Sequence, residues 1–211
     1  MKVIFMGTPD FAVGTLEAIV AAGHEVVLAV TQPDKPKGRG KSMQYPPVKE
    51  AAIAYGIEVY QPERVRRLEC IEYLAKYQPD IIVVAAFGQI LPKEILEMPK
   101  YGCINVHASL LPKYRGAAPI QWAVINGEKA SGVTIMRMDE GLDTGDMIAS
   151  VAVELDAQET GGSLFDKLQD AGARLCVETM KSIEDGTAVY TPQDNAVSYT
   201  HLRAHETCAD L

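Results

Sequence analysis

The run of residues 80–86 constrains the fold of this chain more than any other segment. It reads Asp-Ile-Ile-Val-Val-Ala-Ala, which is short, continuous and rich in β-branched residues. Such a run is typical of a strand buried on both faces in the middle of a parallel sheet. Apolar runs at residues 3–6, 25–31, 57–60 and 103–106 predict further strands.

Helical patterns lie between these strands, so strand and helix signals alternate along the chain. The predicted helices cover residues 9–22, 47–55, 64–77, 118–126 and 162–184. Thr8 is predicted to cap the first helix, with Pro9 as its first residue and Gly23 as its stop. Alternation of this kind predicts an α/β fold, Rossmann-like, with a mostly parallel sheet and helices on both faces.

Two segments depart from that alternation. Residues 133–138 and 147–154 are strand-like and joined by an acidic, glycine-rich connection, so they predict an antiparallel edge to the sheet. Residues 32–46 are polar and contain several prolines and glycines, which predicts a long loop.

Composition limits the classes of function. The formal net charge is -8, so binding of nucleic acid through the whole surface is not expected and would need a local basic patch. The four cysteines form no CxxC pair, which argues against a zinc ribbon and a disulfide framework and fits a reducing cytoplasm. No apolar run approaches the roughly 20 residues of a membrane span.

The first strand-to-helix turn lacks a nucleotide-binding fingerprint. The segment 7–12 reads Gly-Thr-Pro-Asp-Phe-Ala, which is not GxGxxG, and no GxxxxGK[ST] occurs anywhere in the chain. Gly7 is therefore interpreted as serving a tight turn. The N-terminus of the helix that follows still offers free N–H groups to an anion.

Asn105 and His107 are the first candidates for chemistry. Residues two apart along a strand point to the same side, so an amide and an imidazole would face one pocket. By themselves the two favour a plainer interpretation, in which Asn105 caps a turn and His107 is a hydrogen-bonded core histidine.

Asp143 changes that balance, although by itself it suits an ordinary acidic turn. An amine that attacks a formyl carbon builds negative charge on oxygen, and Asn105 together with a protonated His107 can donate hydrogen bonds to it. Asp143 can orient the imidazolium and relay the amine proton, directly or through water. The three residues together predict an acyl-transfer site that needs no serine or cysteine nucleophile.

Residues 105–112, which read Asn-Val-His-Ala-Ser-Leu-Leu-Pro, resemble the signature of the folate-dependent formyltransferases. The resemblance implies a formyltransferase fold, 10-formyltetrahydrofolate as the formyl donor, and Asn105, His107 and Asp143 in the roles just described. It also implies a set of folate contacts. These are Ser109, Leu110, Leu111, Pro112, Phe87, Gln89, Leu91 and Asp139. Core packing is an alternative role for the three leucines.

A basic segment bears on the choice of acceptor. Lys35, Lys37, Arg39 and Lys41 place four positive charges in seven residues. A solvated loop is the plain interpretation, but clustered Lys and Arg also neutralise phosphates. The segments 7–12, 31–34 and 114–120 are similar to the branch of the family that formylates initiator methionyl-tRNA. That similarity implies that the basic segment contacts the tRNA acceptor end, with Arg39 at the key position.

The resemblance also implies a domain organisation. Residues 1–190 are expected to form the catalytic domain, residues 191–196 the start of a linker, and residues 197–211 a tail that does not match the family. The C-terminal β-barrel domain of that branch is expected to be absent. His201 and His205 are spaced for one helix face, but no metal site is predicted there, and a monomer is expected.

Two alternatives to tRNA formylation stay open at this point. One is an N-formyltransferase that acts on a sugar nucleotide or another small amine. The other is an inactive fragment that binds folate, against which the presence of Asn105, His107 and Asp143 argues.

Overall fold

The computed structural model of the chain describes residues 1–37 and 42–194. The chain divides into two compact units, Met1–Asn105 and Val106–Leu211. The boundary falls within a strand, so the two units are described in turn.

The first unit is built on parallel strands. Its elements are β1 (Lys2–Gly7), α1 (Asp10–Ala21), β2 (Glu25–Val30), β3 (Lys35–Lys37), β4 (Ser42–Gln44), α2 (Pro47–Ala54), β5 (Val59–Tyr60), α3 (Leu68–Ala75), β6 (Ile81–Ala85), α4 (Lys93–Leu96) and β7 (Cys103–His107). Strand β1 pairs in parallel with β2 on one side and with β6 on the other, which places Phe5 opposite Ala29 and Val83. The residues 81–85 are buried along their whole length, as the sequence predicts. Burial on both faces explains why this strand has no polar alternation.

Gly7 permits a close approach at the end of β1. A Cβ atom there would lie 2.7 Å from Cβ of Ala12 and 2.8 Å from the carbonyl oxygen of Ala85. No side chain fits in that space, so glycine is required where the strand turns into α1. The predicted tight turn is confirmed.

The first helix begins differently from the prediction. Its N-cap is Pro9, and no side chain caps it. The Thr8 hydroxyl instead accepts a hydrogen bond from Gln32 N at 3.2 Å and lies 3.4 Å from Phe87 O as a donor. Thr8 therefore joins the ends of neighbouring strands, because its side chain finds partners across the sheet rather than along its own helix.

Two further predictions of secondary structure need correction, and one short helix was not predicted. Residues 32–46 are not loop throughout, because β3 and β4 form an antiparallel pair. Helix α3 begins at Leu68 and not at residue 64, because the N–H of Val65 donates to Gln89 Oε1 at 2.8 Å. Helix α4 has only four residues, which is too short to produce a periodic pattern.

The second unit combines an antiparallel pair with a long helix. Its elements after β7 are α5 (Pro119–Ile125), β8 (Ala130–Arg137), β9 (Met147–Glu154) and α6 (Gly161–Glu184). Strands β8 and β9 pair in antiparallel register from Ala130 opposite Glu154 to Met136 opposite Met147. The expected antiparallel edge is therefore confirmed.

Helix α6 supplies much of the buried surface of the second unit. A capping box starts it, in which the Thr160 side chain accepts from Ser163 N and the Ser163 side chain accepts from the backbone N–H of Thr160. A Cβ atom on Gly172 would lie 3.1 Å from Val106 and 3.3 Å from Val133, so the small residue lets the helix lie close to the strands. The buried face of the helix includes Leu164, Leu168, Ala173, Cys176, Met180 and Ile183.

The strands of the main sheet follow the order β5-β2-β1-β6-β7-β8-β9, and β3 with β4 form a separate two-stranded sheet. The five strands from β5 to β7 are parallel to one another, which confirms the predicted mostly parallel α/β sheet with helices. Among the helices of the described residues, none has both the length and the apolar character needed to cross a membrane.

Candidate active site

His107 and Asp143 come together in the second unit. His107 is the last residue of β7 and is buried, and Asp143 lies in the loop between β8 and β9. His107 Nδ1 is 3.6 Å from Asp143 Oδ2, and both side chains are largely buried. This distance is long for a direct hydrogen bond, so the pair is suited to an ion pair or to a relay through one water molecule.

The other ring nitrogen fixes which atom of His107 can exchange a proton. His107 Nε2 is 2.9 Å from the carbonyl oxygen of Tyr114. A carbonyl oxygen only accepts hydrogen bonds, so Nε2 must carry a hydrogen in either charge state. The proton that comes and goes therefore sits on Nδ1, which is the nitrogen that faces Asp143.

Tyr114 is held in place by its own side chain. Its hydroxyl donates to Glu128 Oε1 at 2.6 Å and accepts from Asn126 Nδ2 at 2.9 Å. Burial, and then the hydrogen bond to Glu128, raise the pKa of Tyr114, which keeps the hydroxyl protonated as a donor. The backbone of Tyr114 has φ of 57°, a conformation that non-glycine residues rarely adopt. No sequence pattern signals this role, because Tyr114 contributes a main-chain carbonyl.

Asp143 is oriented by a backbone donor. Its Oδ2 accepts a hydrogen bond from Gly116 N at 2.9 Å, and its φ is 52°. The segment 114–116 therefore contacts both members of the pair. It meets His107 through the Tyr114 carbonyl and Asp143 through the Gly116 N–H.

The loop that carries Asp143 is folded tightly on itself. Asp139 Oδ1 accepts from Gly141 N at 3.0 Å and from Thr144 Oγ1 at 2.7 Å. A Cβ atom on Gly145 would lie only 1.8 Å from the carbonyl oxygen of Arg137, so glycine is obligatory at that position. Asp139 thus shapes the loop, and its predicted contact with folate stays a prediction.

Arg115 and Gln193 form a buried pair beside this loop that the sequence did not reveal. Arg115 is 7% exposed and Gln193 is 9% exposed. Gln193 Oε1 accepts from Arg115 Nε at 2.9 Å and from Arg115 Nη2 at 2.8 Å. Gln193 Nε2 donates to the carbonyl oxygens of Asp143 at 3.0 Å and Gly145 at 2.7 Å. The two residues are 78 positions apart, so no sequence pattern could have paired them.

The predicted folate segment 109–112 is anchored to β8. Thr134, which is fully buried, donates to Ser109 O at 2.7 Å and accepts from Leu111 N at 3.1 Å. The Ser109 hydroxyl donates to Lys113 O at 2.6 Å. Leu111 is buried, whereas Leu110 and Pro112 are half-buried.

The other predicted folate residues lie in the first unit. Phe87 and Leu91 are buried at 2% and 3% exposure, which for Leu91 fits the alternative role of core packing. The Gln89 amide accepts from Val65 N and lies 3.4 Å from Pro62 O as a donor. Gln89 therefore holds the segment before α3.

Asn105 lies on β7, two residues before His107, so the two occupy the same side of that strand. It is half-buried, and its register partner on β6 is Val84. The structure thus places Asn105 on the strand that ends in His107, as the sequence predicts.

The predicted basic segment is only partly described. Lys35 and Lys37 lie on β3, and Arg39 and Lys41 fall outside the described residues. The base of the β3–β4 hairpin is fixed by Lys49, whose Nζ contacts Asp34 Oδ2 at 2.6 Å. Hydrogen bonds from Lys49 and Gln61 lower the pKa of Asp34 below its usual range.

No cluster of three or more His, Cys, Asp or Glu side chains able to hold a metal ion occurs within residues 1–37 and 42–194. His201 and His205 lie outside the described residues.

Comparison with known proteins gives consistent matches. The family model described as formyl transferase matches residues 1–180. The methionyl-tRNA formyltransferase of Agathobacter rectalis is 73% identical over 201 residues, which are 95% of this chain and 64% of the relative. That of Lachnospira eligens is 63% identical over 198 residues, which are 94% of this chain and 63% of the relative. This chain thus spans less than two-thirds of the length of both relatives.

A solved structure also superposes on this chain. It is the phosphoribosylglycinamide formyltransferase of Bacillus halodurans, with a TM-score of 0.72 and 26% sequence identity. The match covers 87% of this chain and 95% of that one.

Proposed function

This chain belongs to the formyl transferase family, and on that premise we propose that it transfers a formyl group from 10-formyltetrahydrofolate to the amino group of methionyl-tRNA. The chain spans only part of these relatives, so the activity of the whole relatives enters here as a proposal. The acceptor is taken from those relatives, both of which are named methionyl-tRNA formyltransferase.

The observation that carries the proposal is the arrangement of His107 between Tyr114 and Asp143. With Nε2 held by the Tyr114 carbonyl, only Nδ1 can donate to an oxygen that gains negative charge. Asp143 Oδ2, 3.6 Å from Nδ1, compensates the positive charge of the protonated ring. His107 is thereby suited to stabilise a tetrahedral oxyanion without becoming a nucleophile.

We assign the remaining steps to the same three residues. The amine nitrogen attacks the formyl carbon, and the carbonyl oxygen becomes an oxyanion that accepts hydrogen bonds from His107 Nδ1 and the Asn105 amide. The attacking nitrogen loses one proton, which Asp143 accepts directly or through water. Collapse of the intermediate breaks the bond between the formyl carbon and the folate nitrogen. That nitrogen takes up one proton, so the reaction needs no net proton from solution.

The amine can act as a nucleophile without special activation. An α-amino group has a pKa of roughly 8, so part of it is neutral at pH 7. The enzyme therefore needs to stabilise the oxyanion and move one proton, which matches the groups that His107, Asn105 and Asp143 supply.

Folate contacts are proposed for the residues named from the resemblance. In the second unit, Leu110 and Pro112 keep part of their surface exposed and Asp139 is exposed, so their side chains can reach a donor. Ser109 and Leu111 are buried and are proposed to support that segment from behind. In the first unit, the residues proposed to contact folate are Phe87, Gln89 and Leu91.

The tRNA contact is proposed for the basic segment of Lys35, Lys37, Arg39 and Lys41. Exposed Lys35 lies on a hairpin whose base is fixed by the contact of Lys49 with Asp34, so the strand presents its charge on a supported backbone. Clustered positive charge on a chain of net charge -8 is suited to local phosphate contact. We also propose that the protein is a monomer of the cytoplasm, where its proposed tRNA substrate is found.

The test is formyl transfer from 10-formyltetrahydrofolate to charged initiator tRNA, measured on this chain with the Agathobacter rectalis relative as a positive control. His107→Ala should lower kcat/KM by about two orders of magnitude or more, as expected for loss of a general acid or oxyanion donor. His24→Ala is the matched control, because His24 has no part in the proposed site. Its ring lies 3.2 Å from the N-terminal amine of Met1, so its replacement should leave the rate unchanged.

Two results would contradict the proposal. Near-wild-type turnover by His107→Ala would refute the assigned role of the histidine. Formylation of an amino sugar nucleotide in preference to charged tRNA would replace the acceptor.

A further inference from the structure

We propose that Gln193 is a positioning residue that sets the geometry of Asp143, and that the segment after α6 thereby forms part of the active-site framework. This inference rests on the proposed function, because it assigns Asp143 a role in proton transfer. Sequence patterns place residues 191–196 at the start of a linker, whereas the structure ties residues 191–193 to the loop that carries Asp143.

Gln193 is brought to the loop by a backbone pairing. Thr191 and Met147 exchange two hydrogen bonds, Met147 N to Thr191 O at 2.9 Å and Thr191 N to Met147 O at 2.8 Å. Met147 is the first residue of β9 and directly follows the loop that contains Asp143. The chain that leaves α6 therefore returns to the base of this loop, and Gln193 follows two residues later.

The Gln193 amide uses all of its hydrogen-bonding capacity. An amide side chain offers two donor hydrogens and two acceptor lone pairs. Its nitrogen donates to the carbonyl oxygens of Asp143 and Gly145, and its oxygen accepts twice from Arg115. A buried side chain with four satisfied bonds leaves no alternative arrangement of similar energy, so the loop backbone is held in one place.

These contacts close a ring of interactions around Asp143. Gln193 binds the main-chain oxygen of Asp143 and the side chain of Arg115, and the neighbouring Gly116 N–H donates to the Asp143 carboxylate. The main chain of Asp143 is thus connected to the segment 114–116 through Gln193, and its carboxylate is connected to the same segment directly. The same segment holds His107 through the Tyr114 carbonyl, so Gln193 fixes the donor and acceptor relative to each other.

Geometry of this kind matters for catalysis because Asp143 lies in a costly conformation. A non-glycine residue at φ of 52° persists only where its surroundings impose it. Displacement of a catalytic group by about 1 Å can lower a rate by roughly 100-fold. Weakening the Gln193 contacts should therefore affect the chemical step more than substrate binding.

Gln193→Glu is the most informative variant, because a glutamate side chain has nearly the same shape as a glutamine side chain. The glutamate still offers an oxygen to Arg115, but a second oxygen now faces the carbonyl oxygens of Asp143 and Gly145 in place of a donor. We expect kcat for formyl transfer to fall by about tenfold or more while KM for each substrate stays within about threefold.

Two control variants separate positioning from general effects. Gln158→Glu introduces the same charge at an exposed position before α6 and should leave kcat unchanged. Ile183→Val removes one buried methyl group on α6 and no hydrogen-bonding group. It should lower stability and leave kcat unchanged below the unfolding temperature.

A measurement that does not depend on turnover decides the proposal separately. In the chain labelled with 15N-histidine, His107→Gln assigns the His107 ring signals. Gln193→Glu should shift the Nδ1 signal, which faces Asp143, and leave the Nε2 signal bonded to Tyr114 nearly unchanged. Neither control variant should shift it.

The outcomes distinguish this inference from the proposed function. A wild-type kcat together with an unchanged Nδ1 signal in Gln193→Glu would overturn the positioning role. Absence of formyl transfer by the wild-type chain, in an assay where the longer relative is active, would count against the proposed function, while the Nδ1 signal would still test Gln193. If circular dichroism shows Gln193→Glu unfolded, Gln193→Met, which removes all four bonds without adding charge, is measured in its place with the same two expectations.

Discussion

Replacing Thr134 with valine should destabilise the second unit by about 1–5 kcal/mol, although the two side chains have nearly the same shape. The Thr134 hydroxyl lies on β8, is fully buried, and joins two backbone groups of the segment 109–112. It accepts from Leu111 N at 3.1 Å and donates to Ser109 O at 2.7 Å. Valine can replace neither bond.

The magnitude follows from what valine leaves behind. A buried backbone donor or acceptor that loses its partner costs about 1–3 kcal/mol, and two such groups are stranded here. The added methyl group recovers about 1 kcal/mol through the hydrophobic effect. Together the two stranded groups cost about 2–6 kcal/mol, so the net destabilisation is about 1–5 kcal/mol. Thr134→Ser keeps the hydroxyl and removes one methyl group, so it should cost only about 1 kcal/mol.

The assay is urea denaturation of the wild type and both variants, followed by circular dichroism and by the fluorescence of Trp122. This is the single tryptophan of the chain and lies on α5 of the second unit. Because residues 109–112 are proposed to contact folate, Thr134→Val should also raise KM for the formyl donor. A valine variant within about 0.5 kcal/mol of the wild type, or a serine variant less stable than the valine variant, would refute the reasoning.

Three further predictions concern other features of the described residues. Gly145→Ala should distort the Asp143 loop and reduce formyl transfer, because its Cβ would lie 1.8 Å from Arg137 O; unchanged activity would contradict this. Burial raises the pKa of the Cys176 thiol to about 12, so peptide mapping should find it unreactive to iodoacetamide at pH 8 unless urea is added. Hydrogen bonds from Lys49 and Gln61 depress the pKa of Asp34 from its usual 3.8, so their stabilising effect is present above that pH and is lost as pH falls through the lowered pKa. The stability difference between wild type and Lys49→Met, measured by urea denaturation, should therefore be larger at pH 6 than at pH 3, and equal differences would argue against the interaction.

Much of the fold could be predicted because its signals are local. The buried run at residues 81–85 and the amphipathic period of α6 depend on neighbours along the chain, so sequence alone is sufficient to find them. The start of α3 and the role of Thr8 could not be found this way. The start of α3 depends on the hydrogen bond from Val65 to Gln89, and the role of Thr8 depends on its contact with Phe87. Both partners lie more than 20 positions away in sequence.

The candidate site likewise has residues that the sequence predicts and residues that only the structure reveals. His107 and Asp143 were predicted as partners from their chemistry and from the resemblance of residues 105–112, and the structure places them 3.6 Å apart. Tyr114 was not predicted, because its contribution is a carbonyl oxygen, which every residue type possesses. Whether Asn105 and the folate residues act as assigned stays a prediction.

The sequence by itself predicted most of the strands and helices, the family, and the residues proposed to carry formyl transfer. Only the tertiary structure decided which nitrogen of His107 exchanges its proton and what holds Asp143 in place. The physical reason is that a sequence pattern reports side-chain type and spacing. Hydrogen bonds from backbone groups and from residues as distant as Gln193 depend on where the folded chain brings them.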